Sequence, residues 1–295
     1  CVISFSICEI VLKMTRLFGV MGHPISHSLS PAMHTAALRA MRLDALYAPF
    51  DVPPALLRPM LRGLILSGVE GLNVTVPLKE RIVPLLNRVD PSARALGAVN
   101  TIVVRGRRTT GYNTDGVGFI AALEELGWRP GPVHAVVLGA GGAARAVAWE
   151  LARFAGSRIT IANRHPARAM RLARWLTSAH PRACVDAVTL RHVALDGVDM
   201  LVNATSVGLR AGEPLLIDPA RLRRSTMVYD LVYHRDTPLG RAARRRGCVA
   251  ANGLTMLLYQ GAESLRLWLK RPPPLQEMRA ALTCAMRSSE FGMRS

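Results

Sequence analysis

The chain has 295 residues, half of them hydrophobic, and a formal net charge of +18. It contains no run of about 18 uncharged apolar residues, so the sequence predicts no membrane span. The charge comes from scattered arginines without interleaved aromatic residues. We attribute it to a bias toward arginine that favours anionic small molecules, with no specific nucleic-acid partner. The length allows one large domain or two ordinary ones.

Cysteine usage and the first residues bear on where the protein works. The five cysteines are odd in number and form no C-x-x-C pair: Cys1, Cys8, Cys184, Cys248 and Cys284. They predict neither a disulfide framework nor a zinc site, and they fit a reducing cytoplasm. Residues 1–13 precede Met14 and lack the basic start and cleavage site of a secretory signal, so we expect a non-native or disordered extension.

Two serines follow the first predicted strand, Arg16 to Met21, and precede a predicted helix from about Ala32 to Met41. Ser30 is predicted to be the N-cap of that helix, with Pro31 in its first turn. Ser28 has no such structural role. Because free N–H groups at a helix N-terminus favour anions, the two hydroxyls together could bind a carboxylate; capping alone is the competing explanation.

The next predicted strands alternate with helices: a strand from Ala45 to Phe50, a helix opening near Pro53, and a strand from Gly71 to Val76. Such alternation predicts parallel pairing through crossover helices and therefore an α/β fold. A helix from Lys79 to about Leu86 is expected next.

Lys79 is one of only three lysines, with Lys13 and Lys270, in a chain whose other basic side chains besides histidine are arginines. Arginine stays charged under essentially all conditions, whereas a partly desolvated ammonium can give up its proton. Lys79 is therefore a candidate acid-base group, although a lysine extending along a helix start to reach solvent is an equally ordinary explanation.

Three polar side chains of the first half stand at the ends of predicted strands. Asn73, Asn100 and Asp115 are the three, and ligand groups gather at such positions in open α/β sheets. Asn113, Thr114 and Asp115 could instead cap the helix that follows them.

The second half opens with a buried strand, Val133 to Leu138, that runs directly into a glycine-rich turn and a helix. Gly139, Gly141 and Ala144 match the dinucleotide-binding fingerprint G-x-G-x-x-G/A in the context that it requires. Gly139 suits the tight turn, and Gly141 allows close approach of a pyrophosphate to the helix N-terminus.

The following strand, Arg158 to Ile161, ends at Asn163, Arg164 and Arg168. An NAD enzyme would carry an acidic residue here for the ribose hydroxyls, whereas arginines suit a 2′-phosphate. The two arginines are one helical turn apart and can face the same anion. For Arg168, a solvated helix start is the competing explanation.

Two later strands, Val198 to Val202 and Met227 to Leu231, also end in polar loops, one with Thr205 and the other with Tyr233. The closing helix begins at Gly253 and places Gln260 on an otherwise apolar stretch, where a buried amide needs partners or a ligand. A last amphipathic helix is expected from Leu275 to Met286.

Taken in order, the motifs S-x-S-P, N-V-T-V-P-x-K, G-A-V-N-T, N-T-D-G, G-A-G-G-A, N-R-x-x-x-R, N-A-T-S-x-G and G-x-x-M-L-x-x-Q, with the Tyr233 loop, resemble shikimate dehydrogenase from about Leu17 to Gln260. The resemblance implies reversible NADPH-dependent reduction of 3-dehydroshikimate to shikimate in chorismate and aromatic amino-acid biosynthesis. It also implies a substrate-binding catalytic domain, residues 14–115, and a Rossmann-like NADP-binding domain, residues 116–252, across a cleft. Helices in 253–295 would return to the first domain, in a monomer or homodimer.

The same resemblance assigns roles residue by residue. Lys79 and Asp115 would form the catalytic pair. Ser28, Ser30 and Tyr233 would bind the substrate carboxylate, and its hydroxyls would contact Asn73, Thr75, Asn100 and Gln260. The NADP(H) site would comprise Gly139, Ala140, Gly141, Gly142, Ala143, Asn163, Arg164, Arg168, Thr205, Leu231 and Gly253.

The chain departs from the family pattern at three places. His165 stands where threonine is usual, Asn252 replaces an aspartate, and the loop after Tyr233 is one residue shorter. Two other functions compete with the main one: a quinate/shikimate dehydrogenase with relaxed cofactor use, and a non-catalytic NADPH-binding sensor on the same fold. The arginine pair argues against the first, and intact Lys79 and Asp115 argue against the second.

Overall fold

The computed structural model describes residues 15–210 and 212–292, so the expected extension, residues 1–13, lies outside the described residues. Within them the chain forms two six-stranded sheets with helices packed around them, which confirms the predicted α/β class. The first sheet has the order β2-β1-β3-β5-β6-β4. Its strands are β1 Arg16–Gly22, β2 Ala45–Asp51, β3 Val69–Val74, β4 Arg88–Val89, β5 Thr101–Arg105 and β6 Arg108–Tyr112.

The first sheet is mixed. The parallel pairing predicted from the alternating strands and helices is confirmed for β1, β2 and β3. β1 pairs in parallel with β2 and β3, whereas β5 runs antiparallel to both β3 and β6. The reason is local, because only Gly106 and Arg107 separate β5 from β6, and Gly106 has φ 59°. A loop that short makes a hairpin, whereas a parallel crossover needs about a dozen residues.

Three helices belong to this half: α1 Ser30–Ala40, α2 Leu57–Leu66 and α3 Pro91–Leu96. The helix expected from Lys79 to Leu86 is absent; turns and a short 3₁₀ helix, Val83–Leu85, take its place. Pro84 explains this, because proline in a helix interior removes a backbone hydrogen bond and clashes with the preceding turn. The segment still packs inward through Leu78 and Ile82, which are fully buried.

The second sheet is parallel throughout, with the order β12-β11-β10-β7-β8-β9. Its strands are β7 His134–Leu138, β8 Arg158–Asn163, β9 Cys184–Thr189, β10 Met200–Asn203, β11 Met227–Asp230 and β12 Ala250–Asn252. The associated helices are α4 Asp115–Glu125, α5 Gly142–Ala152, α6 Pro166–Ala179 and α7 Pro238–Arg245. The order reverses at β7, the place where doubly wound sheets bind nucleotides.

The last two helices, α8 Leu254–Leu269 and α9 Leu275–Gly292, lie against α4 and α1 respectively. Leu258, Leu265 and Trp268 of α8 enter the same buried cluster as Phe18 of β1. α8 therefore starts next to the second sheet and carries Gln260 to the first. The division into residues 14–115, 116–252 and 253–295 stays a prediction. No helix among residues 15–210 and 212–292 is long and apolar enough to cross a membrane.

Candidate active site

Lys79 and Asp115 form an ion pair at the centre of the candidate site. Lys79 Nζ donates to Asp115 Oδ2 at 2.7 Å, and the two side chains are 21% and 8% exposed. Lys79 is held by the segment after β3, where its carbonyl oxygen accepts from Val99 N at 2.9 Å. Asp115 is the first residue of α4, where the helix N-terminus favours a carboxylate. The backbone positions of both residues are thus fixed, Lys79 by its hydrogen bond to Val99 and Asp115 by the start of α4.

Asn100 and Gln260 surround this pair. Asn100 Nδ2 donates to the other carboxylate oxygen of Asp115, Oδ1, at 2.8 Å and lies 3.2 Å from Gln260 Oε1. Asn100 Oδ1 accepts from the backbone N–H of Thr114 at 2.8 Å. The amide orientation of Asn100 is therefore set by partners on both of its sides. Four of the residues that the sequence singled out lie in one hydrogen-bonded group.

Asn73 belongs to the same polar group but lies deeper, with 5% of its surface exposed. Its Oδ1 accepts from the Tyr47 hydroxyl at 2.7 Å, and its Nδ2 donates to Ser264 Oγ at 3.0 Å. Thr101 Oγ1 lies 2.7 Å from the same Ser264 oxygen. Buried polar groups of this kind are costly unless satisfied, and here each has a partner.

The serine loop differs from the sequence expectation. Ser30 is the first residue of α1 and is not its N-cap, because Leu29 already has helical dihedrals (φ −83°, ψ −8°). The predicted capping role of Ser30 was therefore wrong. Instead, the Ser28 hydroxyl accepts from the backbone N–H of Ser30 at 3.3 Å. Thr75 lies beside this loop, since a Cβ at Gly22 would come within 2.4 Å of its methyl group.

Tyr233 follows β11 and is packed against the core cluster that contains α8. Burial raises the pKa of its hydroxyl to about 12, so it stays protonated and can donate. Its ring lies 4.1 Å from that of His234, which in turn meets His27 edge to face at 6.1 Å. The Tyr233 loop of the second half is thereby brought next to the serine loop of the first.

The glycine turn after β7 has the geometry of an anion cradle. Gly139 has φ 110°, and a Cβ there would lie 2.9 Å from the Ala204 carbonyl oxygen, so only glycine fits. A Cβ at Gly141 or Gly142 would meet open space, so the start of α5 is accessible. Ala140 and Ala143 complete this turn into α5. A phosphate group fits such a helix N-terminus.

Thr205 closes one side of the same cradle. Its methyl group would lie 3.3 Å from a Cβ at Gly139. Asn203 holds it there, since Asn203 Oδ1 accepts from both the backbone N–H and the hydroxyl of Thr205, at 3.1 and 2.7 Å. Thr205 is thus set beside the glycine turn by a buried residue of β10.

Arg164 and Arg168 are exposed at the end of β8, and neither makes an ion pair with any residue in 15–210 or 212–292. Asn163 Nδ2 donates to the His165 carbonyl oxygen at 3.1 Å, which shapes the turn into α6. Two guanidinium groups without a protein carboxylate suit a bound phosphate. On the opposite side, Gly253 is pressed against Leu231, whose carbonyl oxygen would lie 2.3 Å from a Cβ at Gly253.

The chain matches three family models over most of its length. They describe a shikimate dehydrogenase substrate binding domain at residues 20–102, a shikimate/quinate 5-dehydrogenase at 130–233, and a shikimate 5′-dehydrogenase C-terminal domain at 253–283. The shikimate dehydrogenase (NADP⁺) of Rubrobacter xylanophilus is 47% identical, with 91% of this chain and 96% of that protein covered. The chain belongs to the shikimate dehydrogenase family.

Two further relatives agree with that membership. The shikimate dehydrogenase (NADP⁺) of Moorella thermoacetica is 46% identical over 96% of this chain and 97% of its own. The crystal structure of shikimate 5-dehydrogenase from Thermus thermophilus, in complex with NADP(H) and shikimate, superposes with a TM-score of 0.82 at 38% identity. The match covers 92% of this chain and 99% of that chain.

Each departure from the family pattern has a defined place in the structure. Asn252 ends β12, and its Oδ1 accepts from the backbone N–H of Leu254, the first residue of α8, at 3.1 Å. His165 is the residue before Pro166 at the start of α6 and is exposed. The shortened loop after Tyr233 ends at Thr237, the N-cap of α7, whose hydroxyl accepts from Gly240 N at 3.1 Å.

Sequence reasoning missed several residues of this shikimate dehydrogenase site. Tyr47, Thr101 and Ser264 support the amides from below, and Ser264 could have been found one helical turn after Gln260. Asp230 is a buried carboxylate that accepts from Asn203 Nδ2 at 2.9 Å and from the Thr237 hydroxyl at 2.7 Å. Burial raises its pKa. It ties the Thr205 loop to the Tyr233 loop and follows the apolar run of β11 without a motif that would mark it.

Proposed function

We propose that this chain is an NADP-dependent shikimate dehydrogenase that catalyses the reversible reduction of 3-dehydroshikimate to shikimate in the chorismate pathway. The named relatives of this family support the substrate and the cofactor. The observation that carries the proposal is the Lys79–Asp115 pair at 2.7 Å, set among the amides of Asn100 and Gln260. Such a pair can give a proton to a carbonyl oxygen or take one from a hydroxyl group.

Lys79 is the proton donor in this proposal. When hydride adds to the ketone, its oxygen becomes an alkoxide that needs a proton as the charge develops. One Lys79 proton points at Asp115, and the others are available to the substrate oxygen. Asp115 orients the ammonium, and Asn100 holds Asp115 in turn. In the reverse direction, Lys79 acts as the neutral amine and takes the proton of the shikimate hydroxyl, which restores the ammonium.

The carboxylate and the hydroxyls of the substrate would be held at opposite ends of the site. Ser28 and Ser30, near the start of α1, would bind the carboxylate with the protonated Tyr233 hydroxyl. The hydroxyls would contact Asn73, Thr75, Asn100 and Gln260. Holding a rigid ring at both ends fixes the reacting carbon relative to Lys79, which is the positional part of catalysis.

NADP(H) fits the second half. The open glycine turn from Gly139 to Ala143, with Thr205 at its side, would hold the pyrophosphate. Arg164 and Arg168, with Asn163 shaping the turn, would bind the 2′-phosphate. Leu231 and Gly253, which lie against each other between β11 and the start of α8, would line the nicotinamide pocket. The cofactor, when bound, supplies or accepts the hydride.

A steady-state assay tests the proposal directly. Shikimate and quinate are each offered with NADP and with NAD, and we expect shikimate with NADP to give by far the highest kcat/KM. Comparable rates with quinate would favour the quinate/shikimate dehydrogenase function. NADPH binding without turnover of either substrate would favour the non-catalytic sensor.

Replacing Lys79 by arginine tests the proton transfer itself. Arginine keeps the charge and the pairing with Asp115 but does not readily release a proton. We expect kcat to fall by roughly two to four orders of magnitude, with a nearly unchanged KM for shikimate. Lys270→Arg is the matched control, because Lys270 is exposed at the end of α8. Near-normal turnover by the Lys79→Arg enzyme would mean that charge alone suffices.

A cytoplasmic location and a monomeric or homodimeric state stay predictions. The first rests on cysteine usage: Cys184, Cys248 and Cys284 are unpaired in the part of the chain that the structure describes, and Cys1 and Cys8 lie outside it. The small-molecule partner is the shikimate/3-dehydroshikimate pair.

A further inference from the structure

Tyr47 lies beneath the substrate site on the edge strand β2, where it is 3% exposed. The strand order β2-β1-β3 places β1 between Tyr47 and Asn73, and the pairing sets Tyr47 opposite Phe18 and Val20 opposite Asn73. The Tyr47 side chain therefore extends across β1 and contacts β3. A phenol is long enough for this contact, and its hydroxyl donates to Asn73 Oδ1 at 2.7 Å.

The Tyr47 ring has little freedom to move. His34 of α1 stacks on it with ring centroids 4.4 Å apart and an interplanar angle of 12°. Trp268 of α8 packs on the same group, with its centroid 6.2 Å from that of Tyr47. Because the ring is held between elements of the core, the direction of its hydroxyl is fixed as well.

The Tyr47 hydroxyl remains a hydrogen-bond donor. Burial raises the pKa of Tyr47 well above its ordinary value. The phenol therefore keeps its proton and donates it to Asn73 Oδ1.

The orientation of the Asn73 amide depends on this bond. Asn73 Nδ2 faces the backbone carbonyl oxygen of Asn100 at 3.3 Å and the Ser264 hydroxyl at 3.0 Å. A carbonyl oxygen can only accept, so the amide nitrogen must stay on that side and Oδ1 must face Tyr47. Without the Tyr47 hydroxyl, Oδ1 would be buried without a donor, and the amide would have to move to regain one.

We propose that Tyr47 is a positioning residue that holds the Asn73 amide in the orientation required by the substrate's hydroxyls. The proposal rests on the proposed function, since Asn73 recognises those hydroxyls only if the substrate is shikimate. Tyr47 itself touches neither the substrate nor the proton-transfer pair. Its removal should therefore weaken shikimate binding more than it slows the chemical step.

Tyr47→Phe removes only the hydroxyl and tests this role. We expect the KM for shikimate to rise about fivefold to tenfold, as loss of one buried hydrogen bond allows, with kcat within about threefold and the KM for NADP unchanged. Tyr229→Phe is the matched control: Tyr229 is also fully buried, and its hydroxyl accepts from Met256 N at 3.2 Å. That variant should lose stability without a change in the KM for shikimate.

The outcomes separate this proposal from the proposed function. An active parent enzyme whose Tyr47→Phe variant loses stability but keeps its shikimate KM would overturn the positioning role alone. A parent without shikimate activity would reject both. Should Tyr47→Phe not fold, Asn73→Ala takes its place: the proposal predicts a raised KM for shikimate with kcat within about threefold, and an unchanged KM would overturn it.

Discussion

His34 gives this fold a definite acid sensitivity. The side chain is fully buried in α1, and neither ring nitrogen has a hydrogen-bond partner among residues 15–210 and 212–292. Burial lowers its pKa from 6.5 to about 3, because a proton would place a charge in the core without a partner. The folded protein therefore keeps His34 neutral where an unfolded chain would protonate it.

The size and sign of the effect follow from this difference. As the pH falls below 6.5, the unfolded chain takes up a proton that the folded chain does not accept until about pH 3. The free energy of unfolding must decrease across that window, and the contribution is fully present only above it. Between pH about 7 and about 5, the loss from His34 alone is about 2 kcal/mol.

Urea unfolding of the parent and of His34→Leu at both pH values checks this result. Leucine has a similar volume and does not titrate, so the free energy of unfolding of the variant should change by about 2 kcal/mol less than that of the parent. His192→Leu, the same substitution at an exposed histidine, is measured alongside as the control. An equal pH dependence in parent and His34→Leu would refute the reasoning, since it would mean that the folded core accepts the proton.

Two predictions concern the ligand contacts. Arg164→Glu should raise the KM for NADP by about tenfold or more and spare NAD, because a charge-assisted contact to the 2′-phosphate is replaced by repulsion; Arg174→Glu, an exposed change on α6, is its control. Equal use of NADP and NAD by the parent would contradict this assignment. Ser28→Ala should raise the KM for shikimate by about tenfold with melting temperature and NADP affinity nearly unchanged. A large fall in melting temperature would instead favour a structural role, since Ser28 Oγ accepts from Ser30 N.

Asn73, Asn100 and Asp115, which the sequence places at strand ends, lie close together in the structure, and their roles stay predictions. The parallel pairing predicted from the alternation of strands and helices holds for β1, β2 and β3. In the structure β5 is antiparallel to β3 and β6, and Asn73, Thr101 and Tyr112 are paired in register. The end of β3, the start of β5 and the end of β6 therefore fall at one edge. Asn100 comes just before β5 and Asp115 shortly after β6, so both lie at this edge.

Two members of the supporting layer, Tyr47 and Ser264, stand in no motif, and the one local signal is the position of Ser264 one helical turn after Gln260. Tyr47 alternates with its neighbours as any inward residue of a strand does, and Ser264 is a small polar residue on an apolar helix. Their contacts with Asn73 span 26 and 191 residues of sequence. Such pairings depend on how β2 and α8 pack against β1 and β3. The helix expected after Lys79 failed for a simpler reason, since Pro84 opposed it.

Because most basic side chains of this chain are arginines, the choice of lysine at position 79 is itself evidence for proton transfer, beyond the geometry of the pair. Elsewhere in the described residues, three carboxylates each pair with two nitrogens of one guanidinium: Glu70 with Arg16, Glu263 with Arg266, and Glu125 with Arg279. A bidentate arginine would bind Asp115 at least as firmly as an ammonium does. Strength of pairing therefore does not explain a lysine at this position. What the ammonium adds is a proton that can leave, and that property has a use only where a reacting oxygen needs one.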